Sequence, residues 1–377
     1  MVAFVGGPAR ARVIGLFGAV LALSSADAAT VGAIAPQLEH ALHIGNAKIG
    51  LLSSVALLTG AVFVFPVGLL VDRIARMPLL ALSIVLWSVA SLAGALAGSY
   101  GDLLLSRLAL GAVTATAGPA IASLTGDYFP ARERGRVWAY ILAGEAVGTA
   151  AGFTLSGAAA GVIGWRAAFV LLAIPGFFLA RTLWRTVPEP QRGGQSHLEP
   201  GAVRLGTMPS NGVAPAEQAE PASATDQAPD ELAHAAARRR GVQPNPRLVL
   251  AEDPQAMGLM RAVKYILSVP TNVLMIIGSS LGYFFFGGIQ TFALLFVRGH
   301  YHVDQVTSQL GLGLLAAGGL VGTLIGGHLT DFMLRHGSLT ARVWVPAGCY
   351  LGAAGLLAAG IVESHFTPAV WYDTAGM

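Results

Sequence analysis

Two apolar runs, Ile49 to Leu70 and Leu79 to Ala97, flank a turn too short to do more than reverse the chain. Crossing a hydrocarbon layer of about 30 Å takes roughly 20 helical residues, and each run has close to that length. In lipid every backbone N–H and C=O needs an internal partner, so runs of this kind must be helices. A connection this short joins antiparallel neighbours only. Into it the chain sets Gly68, Asp72, Arg73 and Arg76. The same arrangement returns in the second half as Gly327, Asp331 and Arg335, with Leu329 standing where Leu70 stands. A pattern repeated at matching places of two halves marks a duplicated membrane unit.

Further apolar runs follow the same rule. Spans are expected near 13–35, 48–70, 79–98, 103–126, 137–160 and 166–186, then near 271–297, 307–331 and 342–362. Only 11% of residues are charged, against about 25% in ordinary soluble domains. The 48 glycines suit close helix packing in lipid. Between the two groups of spans the composition changes. Residues 214–236 are Ala, Pro, Glu, Gln, Asp and Ser without an apolar stripe, which cannot bury enough surface to fold. The expected organisation is a first bundle over 1–187, a disordered cytoplasmic linker over 188–255 and a partial second bundle over 256–377. The second bundle opens on an amphipathic interfacial helix carrying Arg261 and Lys264. Arg10, Arg12, Arg73, Arg76, Arg132, Arg134, Arg136 and Arg192 fall on one side of the spans, while Lys48, Arg166 and Arg298 fall on the other. The positive-inside rule then puts the N-terminus in the cytoplasm. The net charge of +3 sits in these loops, so it signals topology and no nucleic-acid partner. The first apolar run is long enough to span and shows no clear cleavage site, so a cleavable signal peptide is not expected.

The turn at Gly68–Arg76 resembles the loop 2–3 signature of the major facilitator superfamily, Gly-x-Leu-small-Asp-Arg-x-Gly-Arg-basic. Gly68, Leu70, Asp72, Arg73 and Arg76 match it, while Ala75 and Met77 depart from it. Arg107 with Gly111, the run Phe129–Arg136, and Gly164-Trp165-Arg166 resemble other stretches of that family. Within it the chain is similar to the spinster-like group, through the acid in the first span, Pro36-Gln37-Leu38, and Gly322 to Gly327. The resemblance implies an all-α polytopic bundle of twelve spans, of which about nine are read here. It also implies that the repeated turn is a gate, with Asp127 as partner of the turn and its acid capping an eleventh helix.

Ionisable groups inside spans are few, and an Asp or Arg at the bilayer centre costs about 2.5–3.5 kcal/mol on insertion scales. Asp27 lies mid-span among Ser24, Ser25 and Thr30. It is a candidate proton or cation site, or a buried acid neutralised by a partner. Arg107 is a candidate partner for Asp27 or for an anionic substrate, because a guanidinium fork matches a carboxylate. Its alternative is a structural ion pair. Glu145 is a second coupling candidate, next to a Gly148–Gly152 face suited to a tight crossing. His328 and the aromatic cluster Tyr283–Phe286 with Phe292 read first as packing residues. Cys349, alone, excludes an internal disulfide and a Cys-based metal cluster. No phosphate loop, zinc motif or nucleophile elbow is present, so neither an enzyme nor a cofactor or metal site is expected.

These readings converge on a monomeric secondary transporter in the cell membrane. It would move a small organic or amphipathic solute, coupled to a proton or other ion. The alternative is a truncated, non-transporting membrane sensor or scaffold.

Overall fold

The computed structural model describes residues 7–192, 198, 241, 258–336, 338 and 340–362. Regular structure among them is helical throughout. In order, the helices are α1 (Pro8–Ala33), α2 (Ala35–Leu42), α3 (Asn46–Arg73), α4 (Arg76–Ala95), α5 (Tyr100–Thr114) and α6 (Ala117–Tyr128). They continue with α7 (Ala131–Ala151), a π-turn (Gly152–Ser156), α8 (Gly157–Val162) and α9 (Trp165–Thr186). The second half holds α10 (Leu259–Ser268), α11 (Pro270–Tyr301), α12 (Gln305–Arg335) and α13 (Ala341–Val362). By length and composition, 7 helices are long and apolar enough to cross a membrane.

Local chemistry sets the boundaries. Pro8 opens α1 at a position where its missing N–H costs nothing. Ser99 and Asp102 form a reciprocal capping box at the start of α5. The fourth span is broken at Ala115 and Thr116, and α6 resumes just beyond. α7, the π-turn and α8 form one rod, with Thr154 hydroxyl donating back to the Ala150 carbonyl (2.8 Å).

Glycines then fix the packing. Gly144, Gly148 and Gly152, spaced every four residues on α7 and the π-turn, lie against Gly18, Ala22 and Ala26 of α1. A Cβ added at Gly152 would stand 2.8 Å from the Cα of Ala26, and one at Gly148 2.5 Å from that of Ala22. The crossing expected at Gly148–Gly152 is therefore present and extends one turn further, backbone against backbone. Gly111 of α5 meets Ala56 of α3 in the same manner, 2.9 Å from its Cα.

Among the described residues, buried apolar side chains form three clusters, a small one of Ala26, Trp87, Ala90, Leu110 and Leu172 and two larger layers. One gathers Phe17, Leu80, Ile121, Tyr128, Phe129 and Leu183 at the end that carries Arg10 and Arg76. The other gathers Leu38, Ile49, Leu103, Trp165 and Phe169 at the opposite end, and the second half joins it there through Leu294 and Leu312. Elsewhere α3, α11 and α13 leave large apolar side chains exposed, among them Leu57, Leu58, Leu274, Phe284 and Leu351. Such surface suits hydrocarbon, which is as apolar as leucine itself.

The opening of the linker is part of the fold. Pro188 to Arg192 and Leu198 pack on the end of the first bundle, and Leu198 is buried. Apart from Leu198 and Gly241, the linker segments 193–240 and 242–255 lie outside the described residues.

Candidate functional site

α1 and α5 bring Asp27 and Arg107 together inside the first bundle. Arg107 Nη1 donates to Asp27 Oδ2 at 2.9 Å, and the two residues are 1% and 4% exposed. The guanidinium carbon stands 4.7 Å from the centroid of the Phe169 ring on α9. Gly94 on α4 makes room for the fork, since a Cβ there would be 3.3 Å from Nη2. The pair is joined by one hydrogen bond only. Asp27 Oδ1, Arg107 Nε and Arg107 Nη2 are buried without a hydrogen-bond partner among the described residues, as is Trp87 Nε1. A buried polar group left unpaired costs about 1–3 kcal/mol, and more when charged. The two unspent guanidinium nitrogens are therefore donors that a planar anion could complete, whereas Asp27 Oδ1 is an acceptor that only a donor or a proton could complete. One turn along α1, Thr30 shares a 2.7 Å hydroxyl contact with Ser156 of the π-turn.

Glu145 does not join this site. It lies half-buried on α7, beside the Gly144–Gly18 contact, and nine residues of α1 separate Gly18 from Asp27. That places it about 13 Å further along the bundle. Among the described residues no hydrogen bond or ion pair reaches it, but Tyr283 of α11 lies within its electrostatic range. The Tyr350 hydroxyl of α13 stands 3.1 Å from where a Cβ on Gly282 would be, beside Tyr283.

The repeated turn resolves into unequal parts. Arg76, 1% exposed, is the first residue of α4 and spends all three guanidinium nitrogens. Nε donates to Glu189 Oε1 (2.7 Å), Nη1 to Asp127 and to Ser123 Oγ (2.9 Å), and Nη2 to the Pro190 carbonyl (2.9 Å). Glu189 Oε2 also accepts from the Met77 amide at 2.7 Å, capping the start of α4. Asp72 and Arg73 are exposed, and no ion pair joins either among the described residues. Gly68 meets nothing where a Cβ would stand. Of the turn's charged residues, Arg76 is the one seen to pair with Asp127 among the described residues. In the second copy Gly327 is exposed on α12, and the side chains of Asp331 and Arg335 lie outside the described residues.

Residues that the sequence reading passed over, or used only for topology, complete this end. Arg10 pairs with Glu133 (2.8 Å) and donates to the Leu198 carbonyl (2.8 Å). The Leu198 amide donates to the Tyr128 carbonyl (2.9 Å), and the Tyr128 hydroxyl donates to Pro188. Arg192 Nη2 reaches the Val71 and Ile74 carbonyls at the end of α3 (2.7 and 2.8 Å). The available signal was Pro188-Glu189-Pro190, an acid held in rigid extended chain right after a span.

Helical rods in two groups, with an acid–arginine pair buried in the first, define a polytopic α-helical membrane protein. Residues 14–374 match the Major Facilitator Superfamily, and the chain belongs to that family. Its fold is similar to a bacterial homolog of the human lysosomal transporter Spinster, solved in an inward-facing and unoccupied conformation. The TM-score is 0.64 at 21% identity, over 98% of this chain and 72% of that one. In sequence it is similar to the probable L-galactonate transporter of Escherichia coli (28% identity, 38% of this chain and 32% of the relative). It is also similar to the hexuronate transporter of Bacillus subtilis (26%, 50% and 44%) and the 4-hydroxybenzoate transporter of Pseudomonas putida (30%, 48% and 40%). The match spans less than half the length of each of these curated relatives.

Proposed function

We propose that this chain carries a small organic acid across the cytoplasmic membrane by alternating access, coupled to a proton. The observation that carries the proposal is the Arg107 fork, buried beside Asp27 with two donors unspent. The relatives named above transport, by their names, a galactonate, a hexuronate and a hydroxybenzoate, and each of these presents a carboxylate. A polar acid therefore replaces the amphipathic solute that the apolar helices alone suggested.

The coupling follows from charge. Ionised Asp27 holds Arg107, and a proton on Asp27 releases Nη1, so that the whole fork faces an incoming carboxylate. Proton and acid then enter as a neutral pair, which spares the bundle an uncompensated buried charge. The basic end belongs in the cytoplasm by the positive-inside rule. The two halves meet at the opposite end, through Gln37 with Gln305 and Gln309 with the Ala33 carbonyl, which supports an inward-open form.

The test is uptake of radiolabelled 4-hydroxybenzoate and L-galactonate into proteoliposomes under an imposed pH gradient. Accumulation of at least one acid, abolished in Arg107→Gln, is the expected result. Acid binding without flux would support the sensor reading. Equal uptake by Arg107→Gln would remove Arg107 from the site.

A further inference from the structure

At the end away from the basic cluster, the two halves are fastened by glutamines. Gln37 Nε2 of α2 donates to Gln305 Oε1 of α12 at 2.8 Å. Gln309 Nε2 of α12 reaches the Ala33 carbonyl of α1 at 3.5 Å, and, deeper in the bundle, Gln290 Nε2 of α11 reaches Thr149 Oγ1 of α7 at 3.3 Å. Gln309 and Gln290 are 4% and 9% exposed. Each of these cross-half hydrogen bonds joins neutral groups.

Three glycines of the first half receive the second. The Gln290 carbonyl occupies the place where a Cβ on Gly32 would stand, with the Thr291 carbonyl 3.0 Å away. The Gln309 amide occupies the corresponding place at Gly157. The rim of the Phe292 ring lies 2.9 Å from that place at Gly50. A Cβ at Gly32 would meet backbone of the other half, and one at Gly50 or Gly157 would push the Phe292 ring or the Gln309 amide off its seat. Outside the Gln37–Gln305 contact lies a shallow notch of about 280 Å³ bordered by Pro36, His40, Gly164 and Trp165.

We propose that Gln37, Gln290, Gln305 and Gln309, seated on Gly32, Gly50 and Gly157, form a charge-free gate that closes this end of the transport path. Neutral amides suit the task. Each hydrogen bond exchanges readily for one to water, so the gate closes firmly only when several form together, and no ion must be stripped of water each time it shuts. The gate rests on the alternating-access reading, but its test needs neither flux nor membrane sidedness.

Ala33 is fully buried under the gate. In a Cys349→Ser background, Ala33→Cys in detergent-purified protein is exposed to a water-soluble maleimide. Slow labelling is expected with the gate intact. Gln309→Ala should raise the rate roughly fivefold, the loss of about one neutral hydrogen bond. Gly157→Leu should raise it more than tenfold, because the wedge forbids closure. Gln305→Ala, a deletion at a half-exposed position, serves if the Leu variant does not fold. Fast labelling of the parent, or slow labelling in folded Gly157→Leu and Gln305→Ala alike, overturns the gate. Transport failure together with this labelling pattern would leave the gate standing and remove only the transport reading.

Discussion

The two ends of the molecule are built from opposite chemistry. At the basic end, charges bind helices of one half to each other: Arg76 ties α4 to α6 and to the linker, and Arg10 ties α1 to α7. At the far end, glutamine amides and bare glycine backbone bind one half to the other. Breaking a buried ion pair by removing one partner costs about 3–5 kcal/mol, whereas a neutral hydrogen bond nets about 1 kcal/mol. A body that must stay rigid is thus held by the costly contacts, and a joint that must part is held by the cheap ones. Fold and proposed cycle agree at this point, because rocking one half against the other breaks only the weaker set.

The largest expected effect comes from attacking the rigid side. Arg76→Ala leaves Asp127 and Glu189 without their cation and strips four acceptors of their donor. It should destabilise the first half by about 3–5 kcal/mol, seen as early thermal aggregation in detergent. Arg76→Lys should recover only part of this, since one ammonium cannot reach acceptors set around a planar fork. Wild-type thermal stability in Arg76→Ala would erase the contrast between the two ends.

Next is the coupling site. Asp27→Asn keeps size and hydrogen-bonding capacity and removes the titration. pH-driven accumulation should fall at least tenfold while exchange of internal for external acid survives, as measured in the same proteoliposomes. If Asp27→Asn accumulates normally, Glu145 is the next carboxylate to test, in its separate place near Tyr283.

Much of this was legible in the chain. Run lengths gave the helices, so Pro270–Tyr301 and Ala341–Val362 fall close to the expected spans. Four-residue glycine spacing pointed to a tight crossing on α7 though not to α1 as its partner, and two lone charges in apolar surroundings made the Asp27–Arg107 pair one of the expected alternatives. The division of labour in the turn was not legible. Asp72, Arg73 and Arg76 look equivalent as a string. Only the extended backbone at Ile74 and Ala75 sets the phase that turns Arg76 inward and leaves the others in solvent. The break at Ala115–Thr116 and the π-turn carry no marker in the composition of their spans. The glutamines escaped notice because an uncharged amide near a span end is unremarkable until its partner, more than 250 positions away, is placed beside it.

A smaller effect is expected at Asp72, which is exposed and joined by no ion pair among the described residues. Asp72→Asn should leave thermal stability unchanged. If the turn latches the opposite conformation, the substitution should slow Ala33→Cys labelling a few-fold, by favouring the form closed at the glutamines. Unaltered labelling and unaltered flux together would reduce this acid to an orientation signal.

The smallest effect tests whether the neutral end is free of charge control. Asp304 precedes α12 and caps it, accepting from the Val306 and Thr307 amides (3.0 and 3.2 Å) and from the Thr307 hydroxyl. Those hydrogen bonds, the Thr307 hydroxyl first, hold its carboxyl below the ordinary 3.8. A depressed folded-state value means that ionised Asp304 adds stability above the ordinary carboxylate range. That contribution is lost as pH falls through the lowered value. Because α12 carries Gln305 and Gln309, a frayed start should loosen the gate. Labelling of Ala33→Cys, corrected for the reagent's own pH dependence, should therefore rise modestly only when the medium becomes more acidic than pH about 4. Asp304→Asn keeps a capping oxygen without the titration, and should label at the parent's neutral-pH rate across the range. Asp304→Ala should label slightly faster at every pH. An acid-induced rise that persists in Asp304→Asn would place the titrating group elsewhere, and the far end would then no longer count as the charge-free partner of the basic one.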